Sequence, residues 1–141
     1  MDLNIKTETN IKSILNNFIL KRSFKNDHNG HKYIGCVIFN KKNIYSYGYN
    51  IYNTDSRKRS IHAEHNAINK LKKTDKRKKI NVLIFRIDRS YKKVMTCVPC
   101  ERCKERLKED IIKKGYLLNN IYCTLNDNDN LRIVKYKKSD L

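Results

Sequence analysis

Residues 60–68 read SIHAEHNAI and residues 95–103 read MTCVPCERC. In the first stretch His62, Glu64 and His65 fall within four positions at the head of an apolar-striped segment. In the second, Cys97, Cys100 and Cys103 recur at intervals of three. Cys100 and Cys103, at i and i+3 on a helix face, lie within reach of one metal ion. Taken alone, C-x-x-C serves a redox pair, a structural zinc site or two buried thiols equally well. The triple spacing also matches part of an iron–sulfur run, but the fourth cysteine such a cluster wants close by is absent, and Cys123 lies too far along the chain. Glu64 alone has an equally plain reading as an N-terminal helix charge complementing the dipole.

Around these residues stands a chain of 141 residues, enough for one domain with a real core and too few for two comfortable ones, so residues 1–141 are read as a single domain. Charged residues make up 33%, but 39% are hydrophobic and arranged in short runs, which argues for a folded protein with a heavily charged surface. The net charge of +18 invites a nucleic-acid partner. The competing reading is compositional: lysine, asparagine and isoleucine are enriched together along the whole chain, which makes much of that charge a solvated background. The first twenty residues carry an early Asp2 and Glu8 and no apolar h-region, so no secretory signal is read, and no run reaches the length of a membrane span. Five cysteines, an odd number, without an export signal point to a reducing compartment, and the cytoplasm is expected.

The elements that must position the two motifs can be read from periodicity. Ile11, Ile14, Leu15, Phe18 and Ile19 fall at helical spacing, predicting an amphipathic helix over about 11–25. YIGCVIF (33–39) and IYSYGYN (44–50), separated by NKKN, read as a β-hairpin. A helix over about 61–73 follows, then the solvated connector KKTDKRKK and a strand NVLIFRI. The run YKKVMT leads into Pro99 and a helix over about 100–114, with Leu107 and Ile111 inward and Gly115 as its stop. Two short strands close the chain, near IYCT and LRIVKY. This order predicts an α/β fold with a central mixed sheet of about five strands and helices on its faces. Only LNDNDN joins the last two strands, so they should be antiparallel.

H-x-E at His62 and Glu64 followed by P-C-x-x-C at Pro99, Cys100 and Cys103 is the zinc deaminase signature. On these residues the chain resembles the cytidine and deoxycytidylate deaminase superfamily over roughly residues 33–124. HAEHNAI is similar to the HAE-x-NAI stretch of deoxycytidylate deaminases, YIGCVIF to their glycine-containing first strand, and GYN to a strand end that presents a substrate-contacting asparagine, here Asn50. The resemblance implies the three-layer cytidine-deaminase-like fold, one Zn²⁺ held by His62, Cys100 and Cys103, and Glu64 as proton carrier. It places Asn50, Ala63 and Pro99 at the substrate, and His65 in neither role. Residues i and i+2 on a regular helix face opposite ways, so His62 and Glu64 converge only if the helix starts at or just after His62. Both motifs then lie at helix N-termini, whose partial positive charge favours thiolates and a bound hydroxide. Zinc lowers the pKa of its water from about 15.7 to about 7. The hydroxide attacks the ring carbon bearing the amine while one carboxylate serves each proton step.

Departures from the family bear on the substrate. Free-cytidine deaminases usually carry cysteine as first ligand and a glutamate two residues after the strand-end asparagine; here those positions are His62 and Tyr52. Deoxycytidylate and tRNA adenosine deaminases share the H-A-E form but usually carry a helix between the last two strands, for which LNDNDN leaves no room. The expected activity is therefore hydrolytic deamination of a cytosine nucleoside or nucleotide, by a homo-oligomer without a membrane partner. A polynucleotide-editing deaminase is the alternative, favoured by charge and disfavoured by the lack of an evident aromatic-interleaved single-strand platform. A catalytically silent zinc-stabilised nucleic-acid-binding protein is the other, opposed by the intact Glu64. Arg57, Lys58 and Arg59, just ahead of His62, suit a phosphate or a polynucleotide backbone, or are solvated loop charge. Asn50 has a turn-residue alternative, Cys36 and Cys123 read as buried strand thiols, and Cys97 as a core thiol or a neighbour of the metal.

Overall fold

Runs of β-branched and aromatic residues pair here into one mixed sheet, and three amphipathic segments cover its two faces. The computed structural model describes residues 5–20, 33–49, 63–87, 94–97, 101–128 and 130–136. In chain order these form α1 (Ile5–Leu20), β1 (Tyr33–Asn40), β2 (Asn43–Tyr49), α2 (Ala63–Lys70), β3 (Lys79–Ile87), β4 (Val94–Met95), α3 (Glu101–Lys113), β5 (Leu117–Asp127) and β6 (Asn130–Tyr136). The strand order is β2-β1-β3-β5-β6, with β4 paired to β3 off this path. Only β3 and β5 run parallel, joined through α3, while every other pair is antiparallel, including β5 with β6.

Alternation along the strands divides the core into two halves. Cys36, Ile38, Val82, Ile84, Ile121 and Cys123 face α2 and α3, meeting Ala67, Ile68, Leu107 and Ile111. Val37, Phe39, Leu83, Phe85, Tyr122 and Ile133 point the other way, onto Ile11, Ile14 and Leu15 of α1. The result is three layers with the sheet in the middle, because residues i and i+2 of a strand share a face.

Four boundaries differ from expectation. α1 begins at Ile5 rather than near residue 11. Its first two turns are polar, Ile5 is 85% exposed, and an i,i+4 pair between Glu8 and Lys12 at 3.1 Å supports them, so apolar periodicity gave no sign of them. Residues 21–25 of the expected helix lie outside the described residues. α2 stops at Lys70, not 73, since the next carbonyls are claimed from outside: Lys114 Nζ donates to Leu71 O at 2.9 Å and Tyr116 Oη to Lys72 O at 2.8 Å. α3 stops as expected, its helix running to Lys113 and Gly115 following at φ +91°, the left-handed conformation glycine adopts at helix stops.

The last two boundaries concern the sheet. β5 continues through Asp127, so the link to β6 shortens to residues 128–129, with Asn128 at φ 49°. Asn126, a turn-former by propensity, is held in the strand because it bonds sideways: its Nδ2 donates to Val94 O at 2.7 Å and its N–H to Thr96 Oγ1 at 2.9 Å. Those bonds belong to β4, the sixth strand. The β3–β5 pairing ends at Ile84 and Cys123, and past that point β4 pairs with Arg86 and Ile87 of β3 while Thr124 Oγ1 donates to Met95 O at 2.7 Å. β4 thus wedges the parallel pair apart at its carboxyl end.

Candidate active site

α2 is seated on the sheet at backbone-to-backbone distance. A Cβ on Gly48 of β2 would stand 2.5 Å from Ala67 N and 2.9 Å from Ala63 O, so only glycine permits this approach. Two bonds fix the seat: Ser46 Oγ donates to Ala67 O at 2.6 Å, and Asn66 Nδ2 to Tyr49 O at 3.0 Å. The register of the seat fixes what the helix head covers. Ala63 is 1% exposed and Glu64, the second residue of α2, only 4%.

Beneath that head a row of residues crosses the sheet. Gly48 pairs with Cys36, Cys36 with Ile84, and Ile84 with Cys123. Cys97, at the end of the β4 segment, completes the thiol group, with its N–H donating to Thr124 O at 3.0 Å. All three are free, buried thiols. Burial, and then the negative charge of Glu64, push the Cys97 thiol up to about 12, with the Arg86 guanidinium opposing. Cys36 is raised by burial first, then by Glu64 and the other two thiols. Cys123 is raised by burial, Cys97 and Glu64, with the ammonium of buried Lys104 opposing. Three neutral thiols, one buried carboxylate and two cations therefore share one electrostatic neighbourhood where β3 and β5 part. A crevice at the carboxyl ends of parallel strands is where α/β sheets present their ligand sites.

The described part of α2 begins at Ala63, with Glu64 as its second residue, and His62 lies outside the described residues. The described part of α3 likewise begins at Glu101. His62, Pro99, Cys100, Asn50, Arg57, Lys58 and Arg59 themselves lie outside the described residues. Cys103 is the third residue of α3, with its side chain likewise outside the description. Among the described residues no group of three or more His, Cys, Asp or Glu side chains forms a metal site. A cavity of about 960 Å³ between α1 and the β1–β2 turn, lined by Asn10, Phe39, Asn81 and Tyr122, is on the opposite side of the sheet and takes in neither Ala63 nor Glu64.

Residues 14–118 match the family of the cytidine and deoxycytidylate deaminase zinc-binding region. The chain belongs to that family. The matched span runs from within α1 to the start of β5 and includes both motif stretches. The chain accordingly carries a cytidine/deoxycytidylate deaminase-like domain, and zinc binding is the property the family is described by. A search of curated proteins found no match. No described helix is long and apolar enough to cross a membrane.

Sequence reasoning overlooked four residues of this neighbourhood. Gly48 had a signal, as a lone glycine inside an alternating tyrosine strand, which marks close backbone approach. Ser46, Arg86 and buried Lys104 had none, in a chain where polar and basic residues are everywhere.

Proposed function

We propose that this protein catalyses hydrolytic deamination of a cytosine nucleoside or nucleotide, with Glu64 as the proton carrier, the whole chain acting as one domain. The observation that carries the reading is a carboxylate 4% exposed at the head of α2, in a member of a deaminase family. A helix-capping glutamate has no reason to be buried, because its interaction with the dipole is worth only a few tenths of a kcal/mol at the surface.

Zinc fits the residues at hand. The donor set of one imidazole and two thiolates, His62, Cys100 and Cys103, is a known catalytic zinc combination. Two of these residues directly precede the first residues of α2 and α3, where helix N-termini favour anionic ligands. Cys36, Cys97 and Cys123 are buried thiols whose pKa burial raises, and the motif assigns none of them to the metal. When bound, zinc supplies the Lewis acidity that activates water at neutral pH. The Glu64 carboxylate would take one proton from the attacking water and hand it to the ring nitrogen beside the amine-bearing carbon; it would then carry the second proton from the new hydroxyl on that carbon to the amine, which departs as ammonia as the C–N bond breaks and the carbonyl forms. The seat on Gly48 and Ser46 keeps α2, and with it this carboxylate, from shifting between steps. Asn50, Ala63 and Pro99 are assigned to orienting the base, and Arg57, Lys58 and Arg59 to a 5′-phosphate.

The test is zinc content together with ammonia release from cytidine, deoxycytidine, their monophosphates, adenosine and short single strands. Turnover of a cytosine nucleoside or nucleotide at about one zinc per chain is expected. Glu64→Gln should retain the metal and the fold yet lose activity by about 10²–10⁴-fold. Undiminished turnover by Glu64→Gln would remove Glu64 from the mechanism.

A further inference from the structure

From the last residue of α2 to the first of β3, residues 70–79 hold seven basic residues, Lys70 and Lys79 included, against one acid, Asp75. All seven are exposed, and none forms an ion pair among the described residues. A solvated loop of this composition has no need of a fixed shape, but this one has one. Thr74 N–H donates to Lys114 O at 2.9 Å, Tyr116 Oη to Lys72 O at 2.8 Å, and Leu117 N–H to Lys78 O at 2.9 Å. The backbone is thereby committed to α3 and β5, and the charged side chains are presented outward as a fixed array.

Beside that array runs β2, an edge strand of the sheet. Its Tyr47 is 43% exposed and Ile44 is 42% exposed, while Tyr45 is half-buried against Tyr116. A hollow of about 250 Å³ lies along this edge, lined by Ile44, Tyr45, Ser46, Tyr47 and Lys70. Two of the lysines already stand on the rings, with Lys70 Nζ 5.3 Å from the Tyr47 centroid and Lys78 Nζ 5.7 Å from that of Tyr45. Aromatic faces interleaved with ammonium groups, beside a base-sized hollow, combine the two elements of single-strand recognition: stacking for bases and a cationic track for phosphates.

We propose that the β2 edge and the 70–79 connector form a binding platform for single-stranded nucleic acid, with bases stacking at Tyr45 and Tyr47 and Lys70 and Lys78 holding the backbone. This goes beyond the deaminase reading and does not depend on it. The platform lies at the carboxyl end of α2 and Glu64 near its head, about 9 Å apart along the axis for the six residues from Glu64 to Lys70.

The experiment is fluorescence anisotropy of the full chain with fluorescein-labelled oligothymidylate and oligouridylate of about fifteen nucleotides, and a duplex of equal length, across a salt series. Binding of either strand tighter than the duplex is expected, and binding of neither overturns the proposal. Tyr47→Ala should weaken strand binding about ten- to a hundredfold, the loss of one base–aromatic stack, with Tyr47→Phe close to wild type. The pair Lys70→Gln and Lys78→Gln should reduce the log–log salt slope by about 1.4, at roughly 0.7 per single-strand phosphate contact. Lys6→Gln with Lys135→Gln removes the same charge from exposed positions elsewhere and should leave binding near wild type. If that control pair weakens binding as much as the Lys70 and Lys78 pair, or Tyr47→Ala binds like wild type, attraction is spread over the whole surface and the platform does not exist. Glu64→Gln should bind the strands unchanged, so a failure of the deaminase assignment and a failure of the platform are separately visible.

Discussion

Gly48→Ala is a one-methyl test of how the site is held. The added Cβ would sit 2.5 Å from Ala67 N and 2.9 Å from both Ala63 O and Asn66 C, all of them backbone atoms of α2. Ordinary contact begins at 3.4 Å, so α2 must retreat from β2 by about 0.9 Å. No flexible side chain can absorb that shift, and retreat stretches the bonds from Ser46 to Ala67 and from Asn66 to Tyr49. Overpacking of this kind costs about 1–3 kcal/mol, which for a chain of this length lowers the melting temperature by roughly 3–12 °C. Because Glu64 rides on the displaced helix, a misplacement of about 1 Å should cost on the order of 10²-fold in kcat. Gly35→Ala supplies the comparison. Its Cβ would strike the ring of Phe85, which packs on the α1 side, so it should lower the melting temperature without a comparable loss of kcat per folded molecule. Thermal melts and ammonia release on both variants decide the matter. A Gly48→Ala protein with wild-type melting temperature and kcat would show that α2 is not seated on β2 as described.

Cys100→Ser should lose most of the bound zinc and melt at lower temperature, because metal-binding energy in such sites is folding energy; a stable metal-free wild type, by zinc analysis and thermal melt, would refute the ligand assignment. Cys97 is raised from 9.0 to about 12 in the folded chain, so its proton is kept where the unfolded chain releases it. Stability is therefore unaffected below about pH 9 and falls above it by about 1.4 kcal/mol per pH unit until about pH 12. Urea melts from pH 8 to 10.5 should show a shallower decline in Cys97→Ala, and identical slopes would contradict the burial of that thiol. Neutralising Arg57, Lys58 and Arg59 together should raise KM for a nucleotide about tenfold more than for its nucleoside, and equal effects on the two would return these residues to solvated background.

What could be read in the sequence follows what kind of signal each element leaves. α3 and the central strands were legible because Leu107, Ile111 and the NVLIFRI run are buried by the same periodicity that announces them. The first turns of α1 were not, being stabilised by a surface ion pair that leaves no apolar stripe. β4 was missed because two residues carry no period at all, and its existence rests on side-chain bonds from Thr124 and Asn126 that only the folded sheet brings near. At the site, Glu64 was legible from its motif, whereas the conditions that hold it are tertiary. Gly48 matters through Ala63 and Ala67, on a different element, and the aromatic platform judged absent in the linear sequence arises when Lys70 and Lys78 fold back over Tyr47 and Tyr45.

The wedge made by β4 has a consequence for how the chain reaches its folded state. Two hairpins, β1–β2 and β5–β6, close through short turns and cost little loop entropy, so they can form early and independently. Neither contains the neighbourhood of Glu64. That neighbourhood needs β3 to lie between β1 and β5, through slow, non-local closures, before β4, folded back locally on the end of β3, can meet Thr124 and Asn126 of β5. During synthesis Glu64 and Cys36 emerge well before Cys97 and Cys123, so no partial chain can bring the three thiols and the carboxylate together. The surroundings of Glu64 are therefore completed by the last contacts to form, and a destabilised variant should lose them before it loses its hairpins.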